Sequence, residues 1–448
     1  MGSSVNDREL VLETLLLITK EGEYSHIALK NVLDQYQYLD KKERAFITRV
    51  VNGTLERMIE IDHIINQFSK VKVNKMKPVI RTILRSSVYQ LKYMDSVPDS
   101  AVCNEAVKLA VRKGFSNLKG FVNGVLRTIS RNLESVELTS LSVKYSLPQW
   151  IVDQWLESYD EDTVARMGQA FLEEHPTTIR CNLNAVSIEA LTKELREEQV
   201  EVEETSLPYA LHIHGYDYLN KLTSFQKGHF YVQDISSMQV AEWADPKEGD
   251  YVIDVCAAPG GKSMHMADLL HESGHVSARD LTEAKVIRIR ENLLRTGLTN
   301  VSAEVKDALE FYPEDEAKAD IVMADLPCSG LGVMGRKADI KRSVTPEKIA
   351  ALAALQREIL TVVQRYVKPG GVLIYSTCTV SKAENEENMH WFSEHFPFHL
   401  ESMDAYVPAV VHSEQTKDGW IQILPGQYQS DGFFIARFRR SQDGGMKC

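Results

Sequence analysis

The fold is decided by residues 251–263, YVIDVCAAPGGKS, in which an apolar run leads into a turn with two glycines. We predict a strand over 251–257 and a helix that begins directly after the glycines. A glycine turn after a strand lets the backbone approach a ligand closely and directs the N–H groups of the following helix at it. The stretch therefore predicts a strand–turn–helix unit that binds a small molecule.

Strands and helices alternate in the sequence that follows this unit. Further strands are predicted at 275–280, 301–307, 319–325 and 371–378, with a late one at 432–440. One intervening helix has Thr345 as its N-cap and Pro346 at its first position. The alternation favours a doubly wound α/β domain with a mostly parallel sheet over residues 246–440. Such sheets bind ligands at the carboxyl ends of their strands.

The first third of the chain has a different pattern. Between residues 5 and 132, apolar residues recur at helical spacing, for instance at Ile47, Val50, Val51 and Leu55. We predict an all-α helical domain over 1–135, a polar linker over 136–147 and a small α+β subdomain over 148–245. In this subdomain, strand-like pieces at 177–182 and 230–234 flank a charged helix at 188–199.

The net charge of −12 hides a basic segment. Residues 70–131 contain 13 Lys and Arg residues against three Asp and Glu residues. Basic character concentrated in one segment is what phosphate binding needs, whatever the sign of the whole chain. A solvated helix face is the alternative interpretation.

The chain has no apolar run long enough to span a bilayer, and its first residues lack the pattern of a signal peptide. We therefore expect a cytoplasmic protein with no membrane contact. The cysteines are scattered without zinc spacing, so no metal site is expected, and disulfides are not expected in the cytosol. They are Cys103, Cys181, Cys256, Cys328, Cys378 and Cys448.

Three kinds of nucleotide-like ligand compete for the glycine turn. A P-loop needs glycine where Cys256 stands, and a dinucleotide site needs three spaced glycines where only Gly260 and Gly261 are present. An S-adenosylmethionine site fits, because it needs close backbone approach without a pyrophosphate cradle. Asp280, which ends the second strand, can accept hydrogen bonds from both ribose hydroxyls. Asp307, which ends the third, is placed to meet the adenine amino group.

The next two strands each end near a cysteine, Cys328 in Asp325-Leu326-Pro327-Cys328 and Cys378 after Thr377. Cytosine is not nucleophilic at C5 until a group adds to C6, and a thiolate is the side chain best suited to that addition. Two cysteines at neighbouring strand ends beside a cofactor turn would supply a nucleophile and a second thiol. Two buried core cysteines are the alternative.

This pairing resembles the RNA cytosine-C5 methyltransferase family, and the whole chain looks like its Sun/Fmu (RsmB-type) 16S ribosomal RNA members. The resemblance implies a class I (Rossmann-like) domain in which Cys378 attacks C6 and Cys328 assists product release. It also implies that Asp325 meets the N3 and amino edge of the base, while Lys262 either orients Asp325 or is an ordinary helix-start lysine. The implied cofactor motif is Cys256, Ala257, Ala258, Pro259, Gly260, Gly261 and Lys262.

The predicted helical domain resembles the NusB type of RNA-binding domain. The resemblance is carried by residues 51–55, VNGTL, and 121–127, FVNGVLR, and residues 145–150, 232–237 and 431–434 extend the family match over almost the whole chain. Two departures from the family pattern are Leu326, where alanine is commoner, and Ala338, where proline is usual. Both could reshape the substrate loop.

These observations predict an enzyme that methylates C5 of one cytosine in 16S ribosomal RNA through a Cys378–C6 adduct, after the base has left its stack. The expected partner is that RNA, naked or in an early assembly intermediate, with no DNA, and a monomer is expected. A transfer-RNA methyltransferase and a catalytically vestigial RNA-binding assembly factor are the alternatives.

Overall fold

The computed structural model describes residues 6–36, 38–174, 176–271 and 273–442, so Cys448 and residues 1–5 lie outside the described residues. These residues form two compact units. The first extends to Glu173 and also contains Gly335–Ser343, and the second comprises Glu174–Met334 and the chain from Val344 onward. The four-segment division expected from the sequence stays a prediction.

The first unit is helical. Its helices are α1 (Asp7–Leu16), α2 (Ser25–Gln35), α3 (Lys41–Glu56), α4 (Met58–Phe68), α5 (Pro78–Tyr93), α6 (Asp99–Arg112), α7 (Lys119–Asn132), α8 (Leu141–Lys144), α9 (Gln149–Leu156), α10 (Glu161–Ala170) and, from the later segment, α16 (Ile340–Ser343). Their apolar stripes meet in one core, in which Ile47, Ile83 and Leu126 are fully buried. The predicted all-α domain is confirmed.

A small antiparallel sheet begins the second unit. It is built from β1 (Thr177–Cys181), β2 (Glu201–Glu204), β3 (Ala210–His214) and β4 (Phe230–Val232), in the order β2-β3-β1-β4. The helices α11 (Ile188–Glu197), α12 (Thr223–Gln226) and α13 (Ile235–Ala244) accompany it. The sequence predicted β1, β4 and α11 but missed β2 and β3.

The larger sheet carries the ligand-binding unit. Its strands are β5 (Tyr251–Asp254), β6 (His275–Asp280), β7 (Val301–Val305), β8 (Ala319–Asp325), β9 (Val367–Thr377), β10 (Phe398–Leu400), β11 (Trp420–Ile423) and β12 (Phe433–Arg440). The helices that follow them are α14 (Gly261–Leu269), α15 (Glu283–Thr296), α17 (Pro346–Val363), α18 (Glu386–His395) and α19 (Glu414–Lys417). The strand order is β10-β12-β9-β8-β5-β6-β7, and β11 pairs with β12.

Strands β5 to β9 are parallel, while β10, β11 and β12 are antiparallel to their neighbours. Apolar side chains of α13 and α14 cover one face of this sheet, and those of α17 and α18 cover the other. The doubly wound α/β prediction is confirmed, with the N-cap hydrogen bond of Thr345 and Pro346 at the start of α17. No helix in the described ranges is both long and apolar enough to cross a membrane.

Three strand boundaries differ from the prediction in ways that matter for the site. The third strand ends at Val305 rather than at 307, so Asp307 lies in the loop that follows it. The first strand ends at Asp254 rather than at 257, because the residues that follow form the turn. The fifth begins at Val367 rather than at 371, so Gly370 and Gly371 lie inside it. The antiparallel β10 and β11 were not predicted, because they are short.

Candidate active site

The site lies where the strand order reverses between β5 and β8, at the carboxyl ends of both strands. A cavity of 260 Å³ opens there within the second unit. Its walls include residues 256–259, Gly261, Lys262, Asp325 and Cys378. The structure therefore brings most of the predicted site residues together around one space.

The glycine turn has a backbone that only glycine adopts readily. Gly260 is the N-cap of α14 with φ of 104°, and a Cβ there would lie 2.9 Å from Cε of Met264 and 3.3 Å from Cγ2 of Ile289. The turn is tied to the neighbouring strand, because the Ala258 N–H donates to Oδ2 of Asp280 at 3.0 Å. The first turn of α14 begins at the cavity. Because the N-cap is a glycine, no N-cap side chain accepts a hydrogen bond from the N–H groups of this turn.

Asp280 lies next to this turn through its hydrogen bond with Ala258, and neither Asp280 nor Asp307 is among the residues that line the cavity. The Oδ1 atom of Asp280 also accepts hydrogen bonds from the Leu281 N–H at 2.8 Å and from Lys285 at 2.9 Å. Asp307 follows β7 by two residues, and its carboxylate accepts a hydrogen bond from the Leu309 N–H at 2.9 Å. Their proposed contacts with ribose and adenine stay predictions.

Asp254 is a site residue that the sequence reasoning missed. It ends β5, is 1% exposed and accepts a hydrogen bond from Ser263 at 2.6 Å through Oδ2. Its Oδ1 atom has no hydrogen-bond partner among the residues that the structure describes. Burial raises the pKa of Asp254 to about 7, with Asp325 adding to the shift and Ser263 opposing it. A buried carboxylate oxygen without a partner in a cavity wall fits the ammonium group of an amino-acid ligand such as S-adenosylmethionine.

Lys262 and Asp325 form an ion pair at the cavity, with Nζ 2.7 Å from Oδ2. The other carboxylate oxygen of Asp325 accepts from the hydroxyl of Ser376 at 3.0 Å, and the Lys262 ammonium lies 5.4 Å from the ring centre of Phe433. Burial alone would lower the pKa of Lys262, but the carboxylates of Asp325 and Asp254 outweigh it and raise that pKa. The lysine is therefore a cation paired with Asp325, and its role in orienting that carboxylate stays a prediction.

The two predicted cysteines are neighbours, with Sγ of Cys328 3.3 Å from Sγ of Cys378. The hydrogen bond to Cys378 and desolvation raise the pKa of Cys328 well above its usual range. Cys328 therefore keeps its proton, which it can donate to the sulfur of Cys378. Burial likewise raises the pKa of Cys256 in the cavity wall, so that thiol is a poor nucleophile.

Buried polar side chains hold the residue that follows Cys328 and the residues on both sides of Cys378. Glu384 is fully buried and accepts from the N–H of Ser329 at 2.8 Å and from its hydroxyl at 2.5 Å. Ser329 also contacts the hydroxyl of Thr379 at 2.7 Å. Asn385 accepts from the Thr377 hydroxyl at 2.6 Å and donates to the carbonyl of Thr379 at 3.1 Å. No sequence pattern identifies this pair, since Glu384 and Asn385 belong to a charged run typical of a solvated helix start.

Gln233, another wall residue that sequence reasoning missed, is fixed by a buried ion pair. Its side-chain oxygen accepts from Nε of Arg180 at 2.9 Å, and Arg180 pairs with Asp268 of α14. Since arginine only donates, the amide nitrogen of Gln233 must point away from it, and within the described part of the chain that nitrogen has no partner. The small sheet thereby contributes a hydrogen-bond donor to the cavity wall.

The basic segment lies on α5, α6 and α7 and on the turn before them, in the first unit. Part of its charge stabilises the helices, as in the Arg85–Asp62 pair at 2.6 Å and the Lys113–Glu9 pair at 2.7 Å. The exposed basic residues include Lys70, Lys75, Lys77, Lys119 and Arg131. These are the candidates for phosphate contacts.

The fold and the cavity define a class I S-adenosylmethionine-dependent methyltransferase. Residues 241–439 match the protein family described as "16S rRNA methyltransferase RsmB/F". Residues 5–131 match the NusB family, and residues 147–216 match the ferredoxin-like domain of RsmF/B-like methyltransferases. The chain belongs to the RsmB/F family of 16S ribosomal RNA methyltransferases.

Individual relatives match over nearly the full length. A Bacillus subtilis (strain 168) protein named probable ribosomal RNA small subunit methyltransferase B is 36% identical, over 97% of this chain and 98% of its own. A protein of the same name from Synechocystis sp. is 31% identical, over 98% of this chain and 100% of its own. The crystal structure of PH0851 superposes with a TM-score of 0.77 at 26% identity, over 98% of this chain and 100% of that one.

Proposed function

We propose that this enzyme methylates C5 of a cytosine in 16S ribosomal RNA through a covalent bond between Cys378 and C6 of the base. The observation that carries the proposal is the pair of thiols 3.3 Å apart at the ends of the neighbouring parallel strands β8 and β9. An RNA methyltransferase that acted on a ring nitrogen of a base or on ribose would have no use for a thiol nucleophile. RNA maturation in the cytoplasm is the setting that we propose.

The roles of the two thiols follow from their different surroundings. Cys328 stays protonated and its sulfur lies 3.3 Å from that of Cys378, so an S–H donated by Cys328 would favour the thiolate form of Cys378. Cys378 is in the wall of the cavity in which the base would lie. We therefore assign the attack on C6 to Cys378 and the later release step to Cys328.

Asp325 would face the N3 and amino edge of the cytosine. Addition of sulfur to C6 pushes electrons toward N3, and a carboxyl group held by Lys262 and Ser376 can share a proton with that atom. S-adenosylmethionine supplies the methyl group when bound. After a base has removed the C5 proton, the Cys378–C6 bond breaks and Cys328 provides the proton that returns to the departing sulfur.

The substrate would reach the cavity as a nucleotide taken out of its stack. The exposed basic residues of the first unit support phosphate contacts by that unit, on naked RNA or on an early assembly intermediate. We propose that a single chain suffices, because one chain supplies both thiols and the cavity walls.

A denaturing gel of each cysteine variant after incubation with 16S RNA and cofactor tests the proposal. Cys378→Ala should give no methylation and no band of RNA-linked protein. Cys328→Ala should attack and methylate but fail to release, so a slow band of covalently linked protein should accumulate. Cys103→Ala, a buried cysteine of the helical unit, is the matched control and should behave like the parent.

The opposite band pattern would make Cys328 the nucleophile, and normal turnover of both variants would exclude a thiol mechanism. Bisulfite sequencing of RNA from cells without this protein then identifies the substrate. Loss of a 5-methylcytosine from transfer RNA would show that transfer RNA, and not ribosomal RNA, is the substrate. A defect in ribosome assembly without the loss of any 5-methylcytosine would indicate an assembly factor.

A further inference from the structure

One buried carboxylate of the second unit contacts the segment that carries Cys328. Glu384 lies between β9 and α18, and its side chain is fully buried. Its Oε1 atom accepts from the N–H of Ser329 at 2.8 Å, and its Oε2 atom accepts from the hydroxyl of the same residue at 2.5 Å. Since Ser329 directly follows Cys328, the carboxylate fixes both the backbone and the side chain next to that cysteine.

A second buried side chain fixes the residue on the other side of Cys328. Gln356 of α17 donates through Nε2 to the carbonyl of Pro327 at 2.9 Å and to Oε1 of Glu384 at 3.2 Å. Gln356 is also fully buried, so water does not compete for these hydrogen bonds. The chain is therefore held immediately before and immediately after Cys328.

The same hydrogen-bonded cluster extends to the residue that follows Cys378. The hydroxyl oxygens of Ser329 and Thr379 are 2.7 Å apart, and the Thr379 oxygen accepts from the N–H of Leu331 at 3.1 Å. Because Ser329 gives its hydroxyl proton to Glu384, Thr379 must be the donor between the two hydroxyls. Every member of this chain of hydrogen bonds lies in the second unit, and the chain joins the ends of β8 and β9.

The charge of Glu384 also acts on Cys328. Burial raises the pKa of Glu384, while hydrogen bonds from Ser329 and Gln356 oppose the rise because they favour the carboxylate. The hydrogen bond to Cys378 and desolvation are the main causes of the raised pKa of Cys328, and the negative charge of Glu384 adds to them. Glu384 thus helps to keep this thiol in the protonated form that a proton donor needs.

We propose that Glu384 is a positioning residue for the release step. Through Ser329 it keeps the thiol of Cys328 beside Cys378, where a proton is needed when the methylated base leaves. The electron pair of the S–C6 bond returns to the sulfur of Cys378, which takes the proton of Cys328, and water then reprotonates Cys328. The inference rests on the proposed function, in which Cys378 forms the bond to the base.

The first test compares Glu384→Ala, Glu384→Gln and the control Glu386→Ala in the full chain. Glu386 is the first residue of α18, and burial raises its pKa too, but within the described residues its Oε2 atom has no hydrogen-bond partner. Glu384→Ala should lower kcat by about 10–100-fold, the usual cost of a misplaced reacting group, and should accumulate RNA-linked protein on a denaturing gel.

Cofactor affinity and the conservative variant separate positioning from general damage. Glu384 is not among the residues that line the cavity, so calorimetry should find unchanged binding of S-adenosylmethionine by Glu384→Ala. Glu384→Gln should recover most of the rate, because its amide oxygen still accepts from Ser329 and its amide nitrogen can donate to the serine hydroxyl. If Glu384→Ala does not fold, Ser329→Ala, which removes only a hydroxyl, must show the same slow release.

Oxidative linking of the two thiols gives a readout that needs no RNA. Diamide removes one hydrogen from each thiol, becomes the hydrazine and leaves a disulfide, which mass spectrometry of a digest detects. Thiols that lie 3.3 Å apart should link quickly in the parent and in Glu386→Ala. Linking should be about tenfold slower in Glu384→Ala, because Cys328 is no longer held in place.

The inference is wrong if Glu384→Ala links its thiols and turns over like the parent, or if Glu386→Ala shows the same losses. A slow Glu384→Ala without accumulated RNA-linked protein would also overturn it, because the defect would then precede release. A parent that forms no covalent bond with RNA, but whose thiol linking depends on Glu384, would refute the proposed function and leave the positioning of Cys328 supported.

Discussion

Acid should weaken cofactor binding through Asp254. The pKa of this carboxyl is raised to about 7 by burial, and its Oδ1 atom has no partner until a cation arrives. Only the ionised carboxylate of Asp254 pairs with the ammonium of S-adenosylmethionine. Protein molecules in which Asp254 is protonated therefore do not contribute to cofactor binding. The sign follows: affinity is full above pH 7 and falls as the pH drops through that value.

The size of the effect follows from the same pKa. Because Asp254 must be ionised to bind, the apparent dissociation constant of the cofactor is multiplied by a factor of one plus the ratio of protonated to ionised Asp254. With a pKa near 7, this factor is about 2 at pH 7 and about 11 at pH 6. We expect about a fivefold loss of affinity over that unit, with nearly one proton released for each cofactor bound at pH 6. Lys262 and Cys256, whose pKa values are raised, stay protonated throughout and add no slope.

Titration calorimetry at several pH values, in buffers of different ionisation enthalpy, measures both quantities. Asp254→Asn should bind more weakly at pH 7.5 and lose the pH dependence. Ser263→Ala removes a hydrogen bond that lowers the pKa of Asp254, so its midpoint should move to higher pH. A parent protein whose affinity is flat from pH 7.5 to 6, without proton release, would show that Asp254 does not meet the cofactor.

Other predictions concern the ribose site, the RNA contacts and the framework. Asp280→Ala should weaken cofactor binding by about 1–3 kcal/mol, the cost of polar groups left without partners, and unchanged affinity in calorimetry would remove Asp280 from the site. RNA binding by the full chain should weaken steeply between 50 and 200 mM salt in filter binding, because basic residues displace counterions; a flat response would contradict phosphate contacts by the basic segment. Arg180→Met should lower the free energy of unfolding by about 3–5 kcal/mol in urea titration, since Asp268 would be left buried and charged without its partner. A loss below about 1 kcal/mol would mean that water reaches the carboxylate.

The sequence predicted the site residues that lie at or just after the ends of strands. Cys328, Cys378 and Asp325 follow apolar runs, and the parallel order of β8 and β9 brings such positions together. Glu384 and Asn385 could not be predicted, because their burial depends on how α18 packs and not on local pattern. Asp254 was overlooked because the strand was extended to residue 257, which placed the acid inside it rather than at its end.

The sequence also could not reveal that residues 335–343 belong to the helical unit, since chain neighbours are normally spatial neighbours. That arrangement has a consequence for synthesis on the ribosome. The first unit is almost complete when residue 173 has emerged, yet Asp339, whose carboxylate accepts from the hydroxyl of Ser25 at the start of α2, is encoded 314 residues after that serine. At roughly 5–20 residues per second, about 10–30 s pass between residue 173 and residue 343. For that time the start of α2 lacks this carboxylate, and only a chain made through the methyltransferase sequence supplies it.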